Sequence, residues 1–306
     1  MKTLQNKPTP SNGNLVAVKS DDLQEGGVYL FVSVDMVNST EFKNKEPRWQ
    51  FVMHQFYKKV VEELRSVCPR FNVWKYIGDE VTFWRHVDAS DNLVHLVRGL
   101  HDALARICHT LDDIEIQHGI RTTNVISAKS TVWSASADFV RDSNIKGDHG
   151  LVFHHANRII EEDHIISLAA GGASHESKVF DFIGPEIDIG FRISHFAQRG
   201  FLLVSAGVAY LLLQQSRAID QITKHLKIVH FEKLKGVWGG RKYPIIWYAD
   251  TWENVDSRFY YDERFENPLV AKICRGEFDE ITSIGDILAQ SNHIEHMLSA
   301  RKLLRV

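Results

Sequence analysis

The stretch that decides the fold is Val28-Tyr29-Leu30-Phe31-Val32-Ser33-Val34-Asp35. Its first seven residues are nearly all β-formers, and such a continuous run is typical of a central strand that is covered on both faces. Asp35 ends the run, where a carboxylate incurs a desolvation penalty unless another group pairs with it. The stretch therefore predicts a buried central strand that ends in a paired or ligand-binding acid.

The segments after this strand carry alternating signals for helices and strands. Apolar residues recur at helical spacing over 49–64 and 93–111, which predicts two amphipathic helices. Between them, the extended segments 71–77 and 81–84 join tightly through Gly78-Asp79-Glu80, which indicates a hairpin. With an extended region after the second helix, the order β-α-β-β-α-β predicts an α+β, ferredoxin-like fold, an antiparallel sheet with helices on one face.

The predicted domain organisation has three parts. Residues 1–26 are rich in Pro, Ser, Asn and Asp, and are predicted to be a flexible leader. One domain spans 27–250, and its polar, His-rich range 136–170 is interpreted as an insertion. Residues 251–306 are predicted to be a C-terminal helical extension.

The composition limits the class of protein. The chain has 306 residues, of which 44% are hydrophobic and 25% charged, which is ordinary for a globular protein with a sizeable core. Its formal net charge of −3 excludes a broad basic field for nucleic acid. Cys68, Cys108 and Cys274 form no CxxC pair, so neither a disulfide framework nor a zinc site is predicted. Since we find no membrane-spanning stretch and no signal peptide, we expect a cytoplasmic protein without a membrane partner.

Asp35 and Asp79 are predicted to lie close together. In a β-α-β-β sheet the first strand pairs beside the hairpin, so a strand-terminal acid and a hairpin-tip acid can converge on one point. Their oxygen ligands suit Mg²⁺ or Mn²⁺, and two such ions about 3.5–4 Å apart would activate an attacking oxygen and neutralise a leaving pyrophosphate. Asp79 also has an ordinary interpretation, because Gly-Asp sequences are common in turns.

The segment Asn38-Ser39-Thr40 follows the first acid and enters a helix. Its backbone N–H groups could cradle a triphosphate at the start of that helix. An ordinary helix cap uses the same residue types, so the segment alone leaves both interpretations open.

Four segments of the chain resemble, in order, the motifs of the class III adenylate and guanylate cyclases. The first two, Asp35-Met36-Val37-Asn38-Ser39-Thr40 and Lys75-Tyr76-Ile77-Gly78-Asp79, are similar to the two metal motifs. The third is Phe180-Asp181-Phe182-Ile183-Gly184-Pro185, with Asp188 and Arg192 one and two turns into the following helix. The last, Leu234-Lys235-Gly236, resembles the late phosphate-binding segment. Each motif is weak alone, but together they span about residues 28–248.

This resemblance implies a role for each matching residue. Asp35 and Asp79 would bind both metal ions, Mg²⁺ or Mn²⁺, with the Met36 carbonyl as an additional ligand. Arg192 would stabilise the transition state, because a guanidinium suits the charge on the phosphate oxygens, and Asp188 is expected beside it as a second catalytic residue. The residues expected to bind the substrate are Asn38, Ser39, Thr40, Lys75, Tyr76, Asp181, Phe182 and Lys235, with Arg241 as an alternative to Lys235.

The resemblance also implies a head-to-tail homodimer. That family builds each site from two protomers, with the metals on one and the arginine and base pocket on the other. Because this single chain carries both halves, two equivalent sites are expected.

The run Gly184-Pro185-Glu186-Ile187-Asp188-Ile189-Gly190-Phe191-Arg192 looks most like the pyrimidine cyclases of the Pycsar anti-phage defence systems. This finer resemblance implies a lyase that converts UTP, or CTP, to 3′,5′-cyclic UMP or cyclic CMP. A separate effector with a cyclic-nucleotide sensor would read the product as an antiviral signal. Two departures from most class III members bear on the substrate: Asp188 stands where an Asn is usual, and the aromatic residues Trp74, Tyr76, Phe180 and Phe182 leave less room for a purine.

Other functions stay open at this point. An adenylate or guanylate cyclase has the same motifs, and Gly78-Asp79-Glu80 is similar to the diguanylate cyclases, although Ile77 and Val81 depart from their signature. A nucleotide sensor without activity is a different class, and such a protein typically loses a metal carboxylate or the arginine. His154-His155 has no metal-site spacing, so surface or core packing is the expected role.

Overall fold

The computed structural model describes residues 26–120, 126–140, 157–162, 179–215, 222 and 224–252. The predicted leader and C-terminal extension lie almost wholly outside the described residues. His154, His155 and much of the predicted insertion also lie outside them, so those interpretations stay predictions.

The described residues form nine strands and five α-helices. The strands are β1 (Gly26–Val37), β2 (Asn72–Ile77), β3 (Glu80–His86), β4 (Ser127–Val140), β5 (Asn157–Glu162), β6 (Val179–Ile183), β7 (Leu202–Val204), β8 (Leu226–Lys233) and β9 (Lys242–Tyr248). The helices are α1 (Ser39–Lys45), α2 (Trp49–Val67), α3 (Leu93–His118), α4 (Pro185–Ile193) and α5 (Ala206–Gln215). The predicted hairpin and both predicted amphipathic helices are thus confirmed, as β2, β3, α2 and α3.

One sheet contains all nine strands. Its order is β2-β3-β1-β4-β7-β9-β8, and β5 pairs with β4 and β6. The four strands β2-β3-β1-β4 are antiparallel to their neighbours, which confirms the ferredoxin-like core. Outside that core the sheet is mixed, since β5 and β7 both lie parallel to β4. Parallel neighbours need a crossover connection, and β5, β6 and α4 belong to the one between β4 and β7.

The two faces of β1 are both buried. Its even-numbered residues from Val28 to Val34 belong to the main core, together with apolar residues of α2 and α3. Tyr29 and Phe31 point to the opposite side, which we call the aromatic face, where they pack with Trp84 and Trp133. This burial on two sides is the reason that the strand is apolar almost throughout.

Helix α4 contacts the aromatic face through a position that has no room for a side chain. A Cβ atom at Gly190 would lie 2.2 Å from the indole ring of Trp133. The first turn of α4 is tied to β4 and β5 by the buried Glu186, whose Oε2 accepts hydrogen bonds from the Ser136 N–H at 2.9 Å and from Asn157 Nδ2 at 2.8 Å. These contacts position α4 on the sheet.

Two elements were not predicted from the sequence, β5 and α5. Strand β5 and the last residues of β4 lie within the range 136–170, so parts of the predicted insertion belong to the sheet. Helix α5 is buried on most sides and therefore lacks a clear amphipathic period. Among the helices of the described ranges, none combines the length and apolar character that crossing a membrane requires.

Candidate active site

The registers of β3, β1 and β4 place polar side chains in two rows across the aromatic face. The rows are Thr82-Ser33-Thr131 and, at the end of β1, Glu80-Asp35-Lys129. Directly opposed residues of antiparallel strands project from the same face, so the members of a row are neighbours. The row Glu80-Asp35-Lys129 thus places charged side chains at one end of the aromatic face.

The carboxyl groups of Asp35 and Asp79 lie close together, as the sequence predicts. Burial raises the pKa of the Asp35 carboxyl above its usual range, and the neighbouring Asp79 carboxylate raises that pKa further by charge repulsion, while Lys129 opposes both effects. The Met36 N–H donates a hydrogen bond to the Asp79 carbonyl oxygen at 3.3 Å, which joins the strand end to the hairpin tip. With Glu80 beside them, these two acids form what we call the acidic site.

Several contacts fix the hairpin tip that presents Asp79. Gly78 has a φ of 64°, a conformation that favours glycine, and its carbonyl oxygen accepts a hydrogen bond from the Tyr57 hydroxyl. The Ser39 hydroxyl donates to Asp79 Oδ2, and Lys43 Nζ lies 3.6 Å from Asp79 Oδ1. The tip is thus held by side chains of α1 and α2.

Two residues of the acidic site were missed by the sequence analysis. Lys129 Nζ lies 3.1 Å from Asp35 Oδ2. Glu80 Oε1 is buried and has no hydrogen-bond partner within the described part of the chain, and burial raises the pKa of this carboxyl, with Asp35 and Asp79 as further causes. Only the strand register brings Glu80 and Lys129 beside Asp35, and no local sequence signal indicates it.

A pocket of about 560 Å³ opens beside Asp79. Its lining residues include the predicted set Asn38, Ser39 and Thr40, together with Met36. Asn38 has a φ of 60°, a left-handed conformation that turns the chain from β1 into α1. Asp79 lines this pocket and Asp35 adjoins Asp79, and carboxylates are the hard oxygen ligands that Mg²⁺ and Mn²⁺ prefer, so the residues present fit the predicted ions.

Lys75 and Asp181, both predicted to bind the substrate, also lie together. Lys75 Nζ lies 2.7 Å from Asp181 Oδ1, and the same oxygen accepts hydrogen bonds from Trp74 Nε1 at 3.1 Å and from the Phe182 N–H at 2.9 Å. The Phe182 side chain itself is buried in the aromatic cluster, so the ring contributes to the apolar packing next to this pair. Tyr76 lies apart from the pair, is 56% exposed and packs edge-on against Tyr57.

Arg192 lies near the C-terminal end of α4, beside the β8–β9 connection. Its Nη2 lies 4.0 Å from the position that a Cβ atom would take at Gly236, beside the exposed Lys235 in the β8–β9 connection. The residues just before Arg192 lie over the aromatic face, where Gly190 packs against Trp133 and the Phe191 ring lies 5.8 Å from that of Trp74, measured between centroids.

Asp188 lies one turn before Arg192 on α4, so the two share a helix face, and Asp188 is exposed. Arg192 of the third motif and Gly236 of the fourth thus lie together, Asp35 of the first lies beside Asp79 of the second, and Lys75 of the second pairs with Asp181 of the third. Among the described residues, no hydrogen bond or ion pair joins Arg192 to Asp35 or Asp79.

A further group of possible cation ligands lies away from the acidic site. His101, Asp102 and Asp250 have ligand atoms within 4.8 Å of one another, and His101 Nδ1 lies 3.7 Å from Asp250 Oδ2. The sequence did not indicate this group, because Asp250 is distant along the chain.

Comparison with known proteins identifies the fold. No protein-family model and no curated protein matches this sequence. Among solved structures, the adenylyl cyclase CyaB from P. aeruginosa matches with a TM-score of 0.50 and 14% identity, over 74% of this chain and 95% of that chain. A bacterial light-regulated adenylyl cyclase matches with a TM-score of 0.51 and 11% identity, over 84% of this chain and 60% of that chain.

These two likenesses show that the chain has the class III cyclase fold, which confirms the fold class expected from the motifs. At such low identity a shared fold does not establish a shared reaction. The reaction depends on the side chains of the acidic site and on the residues around Arg192.

Proposed function

We propose that this protein is a class III nucleotidyl cyclase that converts a nucleoside triphosphate into a 3′,5′-cyclic monophosphate and pyrophosphate. The observation that carries the proposal is the proximity of Asp35 and Asp79, two acids 44 positions apart in the sequence, of which Asp79 lines an open pocket. The class III fold of CyaB and of the light-regulated adenylyl cyclase supports the same assignment.

The roles of the residues follow from the chemistry of cyclisation. The ribose 3′-oxygen forms a bond to the α-phosphorus, and the bond from that phosphorus to the leaving pyrophosphate breaks. Asp35 and Asp79, with the Met36 carbonyl, would hold two Mg²⁺ or Mn²⁺ ions, which supply Lewis-acid activation of the 3′-oxygen and charge neutralisation of the pyrophosphate when bound. Ser39 orients the Asp79 carboxylate by donating a hydrogen bond to it.

The second half of the site binds the base and the transition state. The Lys75–Asp181 pair presents a donor and an acceptor to a base edge, and Trp74 holds Asp181 in place. Arg192 would donate to the phosphate oxygens as charge develops on them, and Lys235 would bind the departing phosphates. Asp188, on the same face of α4, would accept hydrogen bonds from ribose hydroxyls.

A complete site requires a second copy of the chain. Within one protomer, no hydrogen bond or ion pair among the described residues joins Arg192 to Asp35 or Asp79, and the family that the motifs resemble builds each site from two protomers. A head-to-tail homodimer brings the acidic site of one protomer to Arg192 of its partner. Such a dimer has two equivalent sites, which is the usual consequence of two-fold symmetry.

For the substrate we propose a pyrimidine nucleotide, with UTP favoured over CTP. The resemblance of the Gly184–Arg192 run to the Pycsar cyclases supports it, as does the size of Trp74 beside the Lys75–Asp181 pair. Cyclic UMP or cyclic CMP would then act as an anti-phage signal on a separate effector protein. A purine cyclase is the second candidate, favoured by the names of both structural neighbours.

The test is an assay of the purified protein with Mn²⁺ and each of ATP, GTP, CTP and UTP, with products separated by liquid chromatography and mass spectrometry. We expect a cyclic pyrimidine monophosphate with UTP as the best substrate. Asp79→Ala should lose at least about a thousandfold in rate, because the two-ion site loses a ligand. Circular dichroism should show that this variant keeps the wild-type fold.

Each other outcome identifies an alternative. A cyclic purine monophosphate would retain the cyclase and reject the pyrimidine assignment, and a dinucleotide would indicate diguanylate cyclase activity. No product from any triphosphate, with nucleotide binding intact, would favour the sensor. Turnover by Asp79→Ala at the wild-type rate would reject the metal assignment.

A further inference from the structure

Three carboxylates and two lysines make up the charges at the end of β1. Asp35, Asp79 and Glu80 are the acids, and Lys129 and Lys43 are the bases paired with Asp35 and Asp79. Like charges this close repel one another, and burial strengthens the repulsion. An ammonium group close to these acids therefore stabilises the folded structure in which the acids lie together.

Lys129 is placed by the sheet itself. It lies directly opposite Asp35 in the β1–β4 register, in the same row as Glu80. Its side chain is 25% exposed and that of Asp35 is 28% exposed, so the pair is only partly screened by water. Lys129 also lowers the pKa of Glu80, against the effect of burial, so its charge is felt by two of the three acids.

We propose that Lys129 is a built-in counter-cation, which competes with divalent cations for the Asp35 carboxylate and so sets the affinity of the acidic site for them. This inference rests on the proposed function, since it takes Asp35 as a cation ligand. An ion bound at about 2.1 Å from Asp35 Oδ2 would lie within about 5 Å of an ammonium that is hydrogen-bonded to the same oxygen. The two positive charges repel, so binding the ion requires Lys129 to move away or to weaken its contact.

The size of the effect follows from the charges. Even at the dielectric constant of bulk water, one unit charge about 5 Å from a divalent ion changes affinity by about tenfold. Removing the ammonium should therefore tighten cation binding by about that factor. If Lys129 only stabilised the pairing of β1 with β4, its substitution would weaken cation binding or leave it unchanged. The weaker binding would result from disorder of the carboxylates that bind the cation.

The test measures Mn²⁺ affinity directly, from the free-ion signal in electron paramagnetic resonance, without any turnover. We expect Lys129→Met and Lys129→Gln to bind Mn²⁺ about tenfold more tightly than wild type, and Lys129→Arg, which keeps the charge, to bind like wild type. The matched control is Lys58→Met, which removes the same charge from an exposed position on α2. Thermal unfolding by circular dichroism identifies any variant that fails to fold, and the Met and Gln variants serve as replacements for each other.

The outcomes separate this inference from the function on which it rests. If Asp35→Asn loses Mn²⁺ binding while both neutral Lys129 variants bind no more tightly than wild type, the counter-cation role is rejected and the cyclase proposal stands. If Asp35→Asn binds Mn²⁺ as tightly as wild type, the cation assignment itself fails, and both proposals fall together.

Discussion

At the scale of single residues, Asp35 and Glu80 are carboxyls whose ionisation the fold opposes. Burial is the largest cause of the raised pKa of each, and their mutual repulsion with Asp79 adds to it. An acid whose pKa is higher in the folded protein than in the unfolded chain destabilises the fold once it ionises. The ionised acids of the acidic site therefore lower the free energy of unfolding, as is common for residues of a functional site.

This gives a pH prediction. Without divalent cations, the contribution of these two groups to the free energy of unfolding should increase as the pH falls from 7 toward their ordinary pKa values of 3.8 and 4.5. The double variant Asp35→Asn/Glu80→Gln should lack this contribution. Urea unfolding at several pH values measures it as the difference between wild type and the double variant.

The comparison with the variant is needed because other acids act in the opposite direction at lower pH. Glu63 and Asp88 have lowered pKa values through their ion pairs with basic residues, so their contribution is lost as they protonate. A wild-type curve parallel to that of the double variant between pH 7 and 4.5 would show that Asp35 and Glu80 ionise normally.

At the scale of elements, the position of α4 depends on one missing side chain. Gly190 lies in the middle of the helix, where an alanine would gain up to about 1 kcal/mol from helix propensity. The Trp133 indole would lie only 2.2 Å from the new Cβ atom, however, and both groups are buried. The clash should outweigh the propensity, because a buried ring between packed strands has little space to move.

We therefore predict that Gly190→Ala destabilises the protein by about 1–3 kcal/mol, as measured by urea unfolding. Gly99→Ala is the matched control, since this glycine of α3 would meet only a methyl group of Val67 at 2.9 Å, and a smaller loss is expected. In a Trp133→Leu background the Gly190→Ala loss should shrink, which a double-mutant cycle would detect. Equal losses in both backgrounds would contradict the contact.

At the scale of the whole molecule, the proposed catalytic groups form two sets. The acidic site lies at the end of β1, and Arg192 lies on α4 beside the β8–β9 connection. In the proposed homodimer, each site would combine one set from each protomer.

A mixture of two inactive variants tests this arrangement. Asp79→Ala and Arg192→Ala should each be inactive, but an equal mixture should recover about a quarter of wild-type activity after subunit exchange, because half of the dimers are mixed and each has one intact site. Cyclase activity of the mixture, against each variant alone, is the measurement. No recovery despite exchange proven by native mass spectrometry would exclude a shared site.

The amino-acid sequence by itself determined the core elements and the meeting of Asp35 with Asp79. These features depend on local patterns, namely apolar periodicity, a Gly-Asp turn, and the pairing of β1 beside the hairpin that the element order requires. Through its resemblance to a family, the sequence also predicted that Lys75 and Asp181 both bind the substrate.

Only the tertiary structure decided which residues surround these acids. Lys129 and Glu80 flank Asp35 because of strand register, which depends on packing across the whole sheet and has no signature in either segment. The parallel pairing of β5 and β7 and the burial of Phe182 likewise follow from how the crossover packs on the aromatic face. Contacts between segments distant in the chain are set by the complete fold, and for that reason local patterns did not reveal them.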